Sequence, residues 1–317
     1  MEWIDEAYRQ NAPLLRGLGY RLLGDVVAAE DLLQETFVRA LESPSPEDAA
    51  AVLPWLKGVA TGLGITFLQR RRAQGYSGPW LPMPLETGPG GVEILASRAT
   101  GSTARYGFAE SISYGFLAAL EGLAPEERAA LVLRDVFAES EDLVSAALDS
   151  AAPAVQDLLA RARERMAAHD ARCLAPDDTQ RERVRLVLET FLEAVASGQR
   201  GALDGLLAHD VTAVTDAGGE FLGARVILEG REQVGEFAWE LAGEKAAGMR
   251  LDIREINFLP AIVIEFEEPG QGQAPRVVQR IDLDAEGRIA TWHAILASGK
   301  LNAVSFDGLR PGLGALA

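Results

Sequence analysis

Two all-α helical domains followed by an α+β domain are the fold class this sequence predicts, on three observations. Apolar residues recur at three- and four-residue spacings through residues 2–73 and again through 110–172, the period of helices with one buried face. The stretch between them, 74–109, is dense in proline and glycine and reads as a linker. From residue 177 two helices give way to alternating, strand-like segments up to residue 304, with 305–317 left as a tail. At 317 residues the chain is long enough for two or three cores.

Composition narrows the class. Thirty basic and forty-seven acidic residues give a net charge of −17, the wrong sign for a chain that binds DNA unaided. Nucleic-acid contact would have to rest on local basic patches or on a partner. No apolar run is expected to cross a bilayer. Residues 1–20 lack a basic start followed by an apolar run, so no secretion signal is expected. Cys173 is the single cysteine, which leaves no disulfide framework and no cysteine-based metal site. A reduced, cytoplasmic compartment is the expectation.

The first helix carries Trp3, Ile4, Ala7 and Tyr8, then Leu14, Leu15, Leu18 and Leu22 after Pro13. From Tyr20 to Leu41 the apolar spacing predicts a helix broken by a turn at Gly24-Asp25, with Asp25 capping the helical stretch on its C-terminal side. Glu30, Asp31, Gln34, Glu35 and Arg39 share the opposite, polar face. The plain reading is a solvated face. The order Ala29-Glu30-Asp31-Leu32-Leu33-Gln34-Glu35-Thr36-Phe37 resembles the helix by which extracytoplasmic-function (ECF) sigma factors grip the clamp helices of bacterial RNA polymerase. The resemblance implies that these five polar residues bind core RNA polymerase.

After a loop at Ser43-Pro46, a third helical segment runs from Glu47 to about Arg72, with Pro54 near its start or kinking it. In the family the corresponding helix of region two melts and reads the promoter −10 element, which implies that role for Trp55, Arg70, Arg71 and Arg72. Trp55 is equally suited to the core.

Within the linker, Gly78-Pro79-Trp80-Leu81-Pro82-Met83-Pro84-Leu85 interleaves large apolar groups with prolines. Trp80, Leu81, Met83 and Leu85 are too apolar for a free tether and predict a segment docked in a groove. The run is similar to the Trp-Leu-Pro-Glu-Pro linker of the ECF subgroup with a fused C-terminal domain, with Met83 in place of Glu. Docking near Asp216–Glu220 and Lys300-Leu301 is the expectation, holding the helical domains compact.

Residues 110–172 predict helices over Ser113–Leu123, Pro125–Phe137, Glu141–Leu148 and Pro153–Ala168. Leu123–Phe137 resembles the start of sigma region four, whose helix-turn-helix reads the −35 element; a plain four-helix bundle is the alternative. The resemblance implies that Gln156 faces a base edge and Arg161 the backbone.

Beyond 177, helices at Asp178–Ser197 and Gly201–Ala208 precede strands at Val211–Asp216 and Glu220–Ile227, joined by a Gly218-Gly219 hairpin. A helix at Gly230–Leu241 comes next, and then four strands at Met249–Ile256, Ala261–Glu267, Arg276–Asp284 and Arg288–Ala297. That order resembles the SnoaL-like cones of the nuclear transport factor 2 superfamily. Asp216-Ala-Gly-Gly-Glu220 and Ser298-Gly-Lys-Leu301 correspond to the subgroup's signatures, with substitutions at Ala217, Glu220 and Ser298-Gly299.

The expected function is that of a sigma factor that binds core RNA polymerase and directs it to promoter DNA, controlled by its C-terminal domain and a small-molecule ligand of that domain. No cofactor, metal or membrane is expected. The alternative is a sigma-derived protein that has lost promoter recognition and keeps its pocket as a cyclase- or epoxide-hydrolase-type enzyme or a ligand sensor. Asp216, Asp252 and His293, pointing into the cone, would then supply acid–base chemistry, although an Asp before Gly-Gly also serves simply as a turn cap.

Overall fold

The structure, a computed structural model, describes residues 2–43, 48–88, 104–172, 175–243 and 249–311. Most of the loop expected at Ser43-Pro46, the glycine-rich part of the linker and Cys173 lie outside the described residues. The chain divides into two compact units. One comprises Met1–Gly75, Val92–Ile112 and Phe116–Asp170; the other comprises Tyr76–Gly91, Ser113–Gly115 and Ala171–Ala317.

The helical unit begins with α1 (Glu2–Leu23), α2 (Val26–Glu42) and α3 (Ala49–Gln74). Gly24 turns the chain at φ +64°, and Asp25 Oδ1 accepts from Ala28 N–H at 2.9 Å to cap α2. A Cβ on Gly19 would meet Ala29 at 3.1 Å, so glycine there lets α1 and α2 approach closely. Leu22, Leu32, Leu33 and Phe37 are buried. Val27, Val38 and Leu41, part of the apolar set whose spacing predicts this helix, are exposed.

Next come α4 (Tyr114–Leu120), α5 (Pro125–Leu131), a π-helical turn (Val132–Val136), α6 (Glu141–Ala147) and α7 (Ala152–Arg172). The segments expected as two separate helical domains form one unit, because α3 packs on both α5 and α6. By length and hydropathy α3 also qualifies as a membrane span over Ala50–Gln74, against the sequence expectation. Its buried Leu56, Ala60 and Leu68, and its buried Lys57 paired with Glu139, assign it to the core of this unit.

In the other unit α8 (Asp178–Ala196) and α9 (Arg200–Leu206) lead into β1 (Leu207–Asp216), β2 (Leu228–Glu229), α10 (Arg231–Gly243), β3 (Met249–Ile256), β4 (Leu259–Phe266), β5 (Arg276–Leu283), β6 (Ile289–Ile295) and β7 (Arg310-Pro311). The described strands form one sheet in the order β2-β1-β6-β5-β4-β3-β7. β1 and β6 are parallel, and the remaining pairs are antiparallel. The strand expected over Glu220–Ile227 is absent. Only Leu228-Glu229 pairs with β1, while Leu222, Val226 and Ile227 stay exposed, so only Phe221 of this stretch reaches the core.

Alternation gives the sheet two buried faces. On the inner face Ile262, Ile264, Ile281 and Trp292 pack with Val184, Leu188 and Phe191 of α8 and Val234 of α10. On the outer face Ala261, Val263, Val278 and Ile295 pack with Leu81, Tyr114, Leu301, Val304, Phe306 and Leu309. The residues expected as a linker and a tail therefore complete the core of this unit.

Candidate functional site

Four sets of residues are candidates. The first is the polar face of α2. Asp31, Gln34, Glu35 and Arg39 are exposed and Glu30 is half-buried. Glu30 pairs with Arg16 at 2.7 Å and Glu35 with Arg39 at 3.2 Å. Exposed Val27, Val38 and Leu41 lie at helical spacing with Asp31 and Gln34, so one stripe of α2 mixes aliphatic and acidic groups.

The second set, the expected DNA readers, meets partners inside its own unit. Arg71 donates to the Leu23 carbonyl at 2.9 Å and to Glu121 at 2.5 Å, and burial lowers its pKa against the pull of Glu121. Arg72 donates to the Leu123 carbonyl. Arg128, fully buried, binds Glu121 at 2.6 Å and the carbonyls of Leu22 and Leu120. Gln156 donates to Glu141 at 2.9 Å, and Arg161 to Glu127 at 3.0 Å. Burial would raise the Glu127 carboxyl, but the Ala124 N–H, Arg161 and Arg165 outweigh it and hold it below the usual range. Arg70 is exposed and Trp55 half-buried.

Sequence reasoning did not find the acidic partners Glu121, Glu127, Asp135 and Glu139, which entered it only through the net charge. It also missed Arg21. This buried guanidinium donates to Ser111 Oγ and the Gly17 carbonyl and lies over the rings of Phe108 and Phe137. Burial pulls its pKa down to about 10.

The third set centres on Asp216 in the sheet unit. Its carboxylate is fully buried. Oδ1 accepts from the Tyr76 hydroxyl at 2.6 Å; Oδ2 accepts from the Leu81 N–H at 2.7 Å and from Lys300 Nζ at 2.5 Å. Lys300 also donates to the Leu81 carbonyl and sits 3.8 Å from the Trp80 ring centroid. A buried carboxylate and ammonium so arranged satisfy each other, with neutral donors and a π face supplying the remaining contacts. Gly218 and Gly219 have φ of +60° and +75°, and a Cβ on Gly219 would come within 2.9 Å of Ser77. The glycine pair thus lets the chain at Tyr76-Ser77 approach. Leu81, Met83 and Leu85 are buried and Trp80 half-buried.

The fourth set, the acid–base candidates, is corrected by register. Asp216 pairs with Ile295, Asp252 with Val263, and His293 with both Val214 and Arg280, all outer-face positions. Trp292 is the residue that faces inward, against Phe191 and Phe237. His293 lies 5.3 Å from the Tyr114 ring and 3.8 Å from Asp282, which is held by Arg280. Burial lowers its pKa to about 4 against the opposing pull of Asp282. Asp216, Asp252 and His293 therefore do not converge in the cone. A cleft of about 570 Å³ opens elsewhere, lined by Arg200, Asp204, His209, Glu229 and Arg231 among others. No group of His, Cys, Asp and Glu suited to a metal occurs among the described residues.

A family model described as sigma-70 region 2 matches residues 7–74. The ECF RNA polymerase sigma factor SigJ of Mycobacterium tuberculosis is 32% identical over 249 residues, covering 77% of this chain and 74% of that one. The crystal structure of M. tuberculosis SigJ aligns with a TM-score of 0.70 at 24% identity, over 93% of this chain and 97% of that one. That likeness concerns the fold. A steroid Delta-isomerase of Nocardioides simplex is 29% identical over 121 residues, covering 37% of this chain and 93% of that enzyme.

Proposed function

The chain belongs to the extracytoplasmic-function RNA polymerase sigma factor family, and we propose that it binds core RNA polymerase through α2 and directs it to promoters. The observation that carries this reading is the exposed stripe of Val27, Asp31, Gln34, Val38 and Leu41 on a helix whose other side is buried. Aliphatic groups left in water beside carboxylates suit a protein surface with basic and apolar groups, and they do not suit DNA. The role puts the protein in the cytoplasm.

Promoter contact falls to Trp55 and Arg70–Arg72 at the −10 element and to Gln156 with Arg161 at the −35 element. Stacking a base on Trp55 would contribute about 1–3 kcal/mol. Arg71, Arg72, Gln156 and Arg161 are engaged by their own unit in this arrangement, so promoter contact requires those bonds to be exchanged for bonds to DNA. Docking of Trp80, Leu81, Met83 and Leu85 on the sheet unit is the control. It stabilises the closed state by about 1.5–3 kcal/mol per buried side chain, less the entropy of ordering the segment. Polymerase, or a small molecule bound to the sheet unit, opens it by preferring the open state.

Retention on immobilised core RNA polymerase tests the α2 reading. The intact protein is expected to be retained, and Asp31→Lys with Glu35→Lys is expected to abolish retention. No retention of the intact protein, or retention indifferent to the charge reversal, overturns it.

A further inference from the structure

Beyond the Asp216–Lys300 clasp, a different part of the sheet unit holds the chain around Leu85. The β3–β4 connection is the tight turn Asn257-Phe258, both residues in the left-handed region at φ +50° and +67°. Asn257 is fully buried although its side chain is polar. Its Oδ1 accepts from the Leu85 N–H at 3.0 Å, and its own N–H donates to the Leu85 carbonyl at 2.8 Å. One turn residue thus satisfies both backbone groups of a buried leucine.

Glu86 and Thr87 are held in the same way. Thr87 N–H donates to the Glu255 carbonyl at 2.9 Å, and Thr87 Oγ1 accepts from the Phe258 N–H at 2.8 Å. Glu86 pairs as an antiparallel bridge with Ile256, and its N–H donates to the Ala303 carbonyl at 3.2 Å. Its carboxylate accepts from the Ser305 N–H and faces Arg254 at 3.5 Å.

We propose that the Asn257-Phe258 turn, with the chain at Ala303–Ser305, is a binding site for an extended peptide main chain. Its occupant is the Leu85-Glu86-Thr87 segment of this same protein, held independently of the Asp216 clasp. The two anchors differ in kind. The clasp is a buried ion pair with a hydroxyl and a cation–π contact. At the turn the holding groups are main-chain bonds, the Asn257 amide, the Thr87 hydroxyl and the Glu86 carboxylate, none of them bonded to Asp216, so loss of charge at Asp216 leaves this anchor intact. Between them the Tyr114 hydroxyl donates to the Pro82 carbonyl at 2.8 Å. Opening the clasp alone frees residues 76–81, which add up to roughly 20 Å of reach at about 3.4 Å per residue, while Leu85–Thr87 stays bound. This division concerns how the linker is held and stands whether or not α2 binds polymerase.

Hydrogen exchange on the full-length protein tests it, comparing peptides that contain Leu81 with peptides that contain Leu85–Thr87. Asn257→Gly keeps the left-handed turn accessible but removes the Leu85 acceptor. It is expected to raise exchange at Leu85 at least tenfold and to leave Leu81 unchanged, and Asn257→Asp is expected to restore protection. Asp216→Asn is expected to do the reverse, exposing Leu81 and sparing Leu85. If Asn257→Gly unfolds the sheet unit, Thr87→Val decides the question from the other side, by raising exchange at Phe258 with Leu81 protected. The proposal is overturned if either anchor's variant loosens both peptides equally, or if Asn257→Gly or Thr87→Val changes neither.

Discussion

The helical unit and the sheet unit bury charge in different ways. In the helical unit the paired residues are strung along the junction of α3, α5 and α7. Arg71, Arg128, Arg161 and Arg165 face Glu121 and Glu127, and most of these groups keep some contact with water. In the sheet unit the Asp216–Lys300 and Arg280–Asp282 pairs lie under chain segments that close over the outer face. Exposed pairs contribute little and are screened by salt, whereas removing one member of a buried pair leaves a costly orphan. Arg161 and Arg165 can therefore exchange Glu127 for another partner, whereas the Asp216–Lys300 pair locks a segment in place.

The largest effect is expected where the helical unit departs from that pattern. Arg128 is fully buried, so Arg128→Met should destabilise that unit by about 3–5 kcal/mol, read from denaturant melts, because Glu121 loses one of its two arginines and the Leu22 and Leu120 carbonyls lose a donor. A loss below about 1 kcal/mol would erase the distinction drawn for this residue.

The next effect is a pH dependence in the sheet unit. His293 is neutral when folded, with its pKa lowered to about 4 from an unfolded value near 6.5. Between those values the unfolded chain binds the extra proton, so stability falls as pH drops from 6.5 towards 4 and is flat on either side. The shift corresponds to about 3 kcal/mol at most. His293→Phe should remove that part of the slope in urea melts followed by Trp fluorescence.

Asp216→Asn should cost about 3 kcal/mol in the sheet unit, by leaving Lys300 buried without its counter-charge. It should also speed protease cleavage between Tyr76 and Leu81. The smallest effect sharpens the comparison from outside. Asp31→Lys with Glu35→Lys, both exposed, should move stability by under about 0.5 kcal/mol while removing polymerase retention. A large loss of stability there would mean the α2 face is structural.

Much of the architecture was legible because it is local. The Asp25 cap, the turn at Gly24 and the apolar period of α2 are written within a few residues of one another. The aromatic and aliphatic content of 80–85 foretold burial, with Asp216–Glu220 and Lys300-Leu301 as its expected place. The face of β6 was not legible. Period two separates Trp292 from His293 but cannot say which side is inner when both sides are buried, and both are buried here because 81–85 and 301–309 cover the second. The expected strand at 220–227 failed for the same lack of context, since apolar residues attracted a strand reading with no neighbour to pair with. For Arg71 and Arg72, sequence reports charge, whereas the groups that occupy them, Glu121 and the Leu123 carbonyl, come from the turn after α4, 50 and 51 positions away.

Sequence distance also bears on synthesis. Leu81 is bonded to Lys300, 219 residues further on, and β1 closes on β6, the strand next to that lysine. At about 5–20 residues per second, roughly 10–45 s separate the appearance of the linker from that of its lysine partner. During that interval the helical segments have left the ribosome with nothing to hold the linker. The nascent chain thus carries the linker before the lysine that bonds Leu81 has been made.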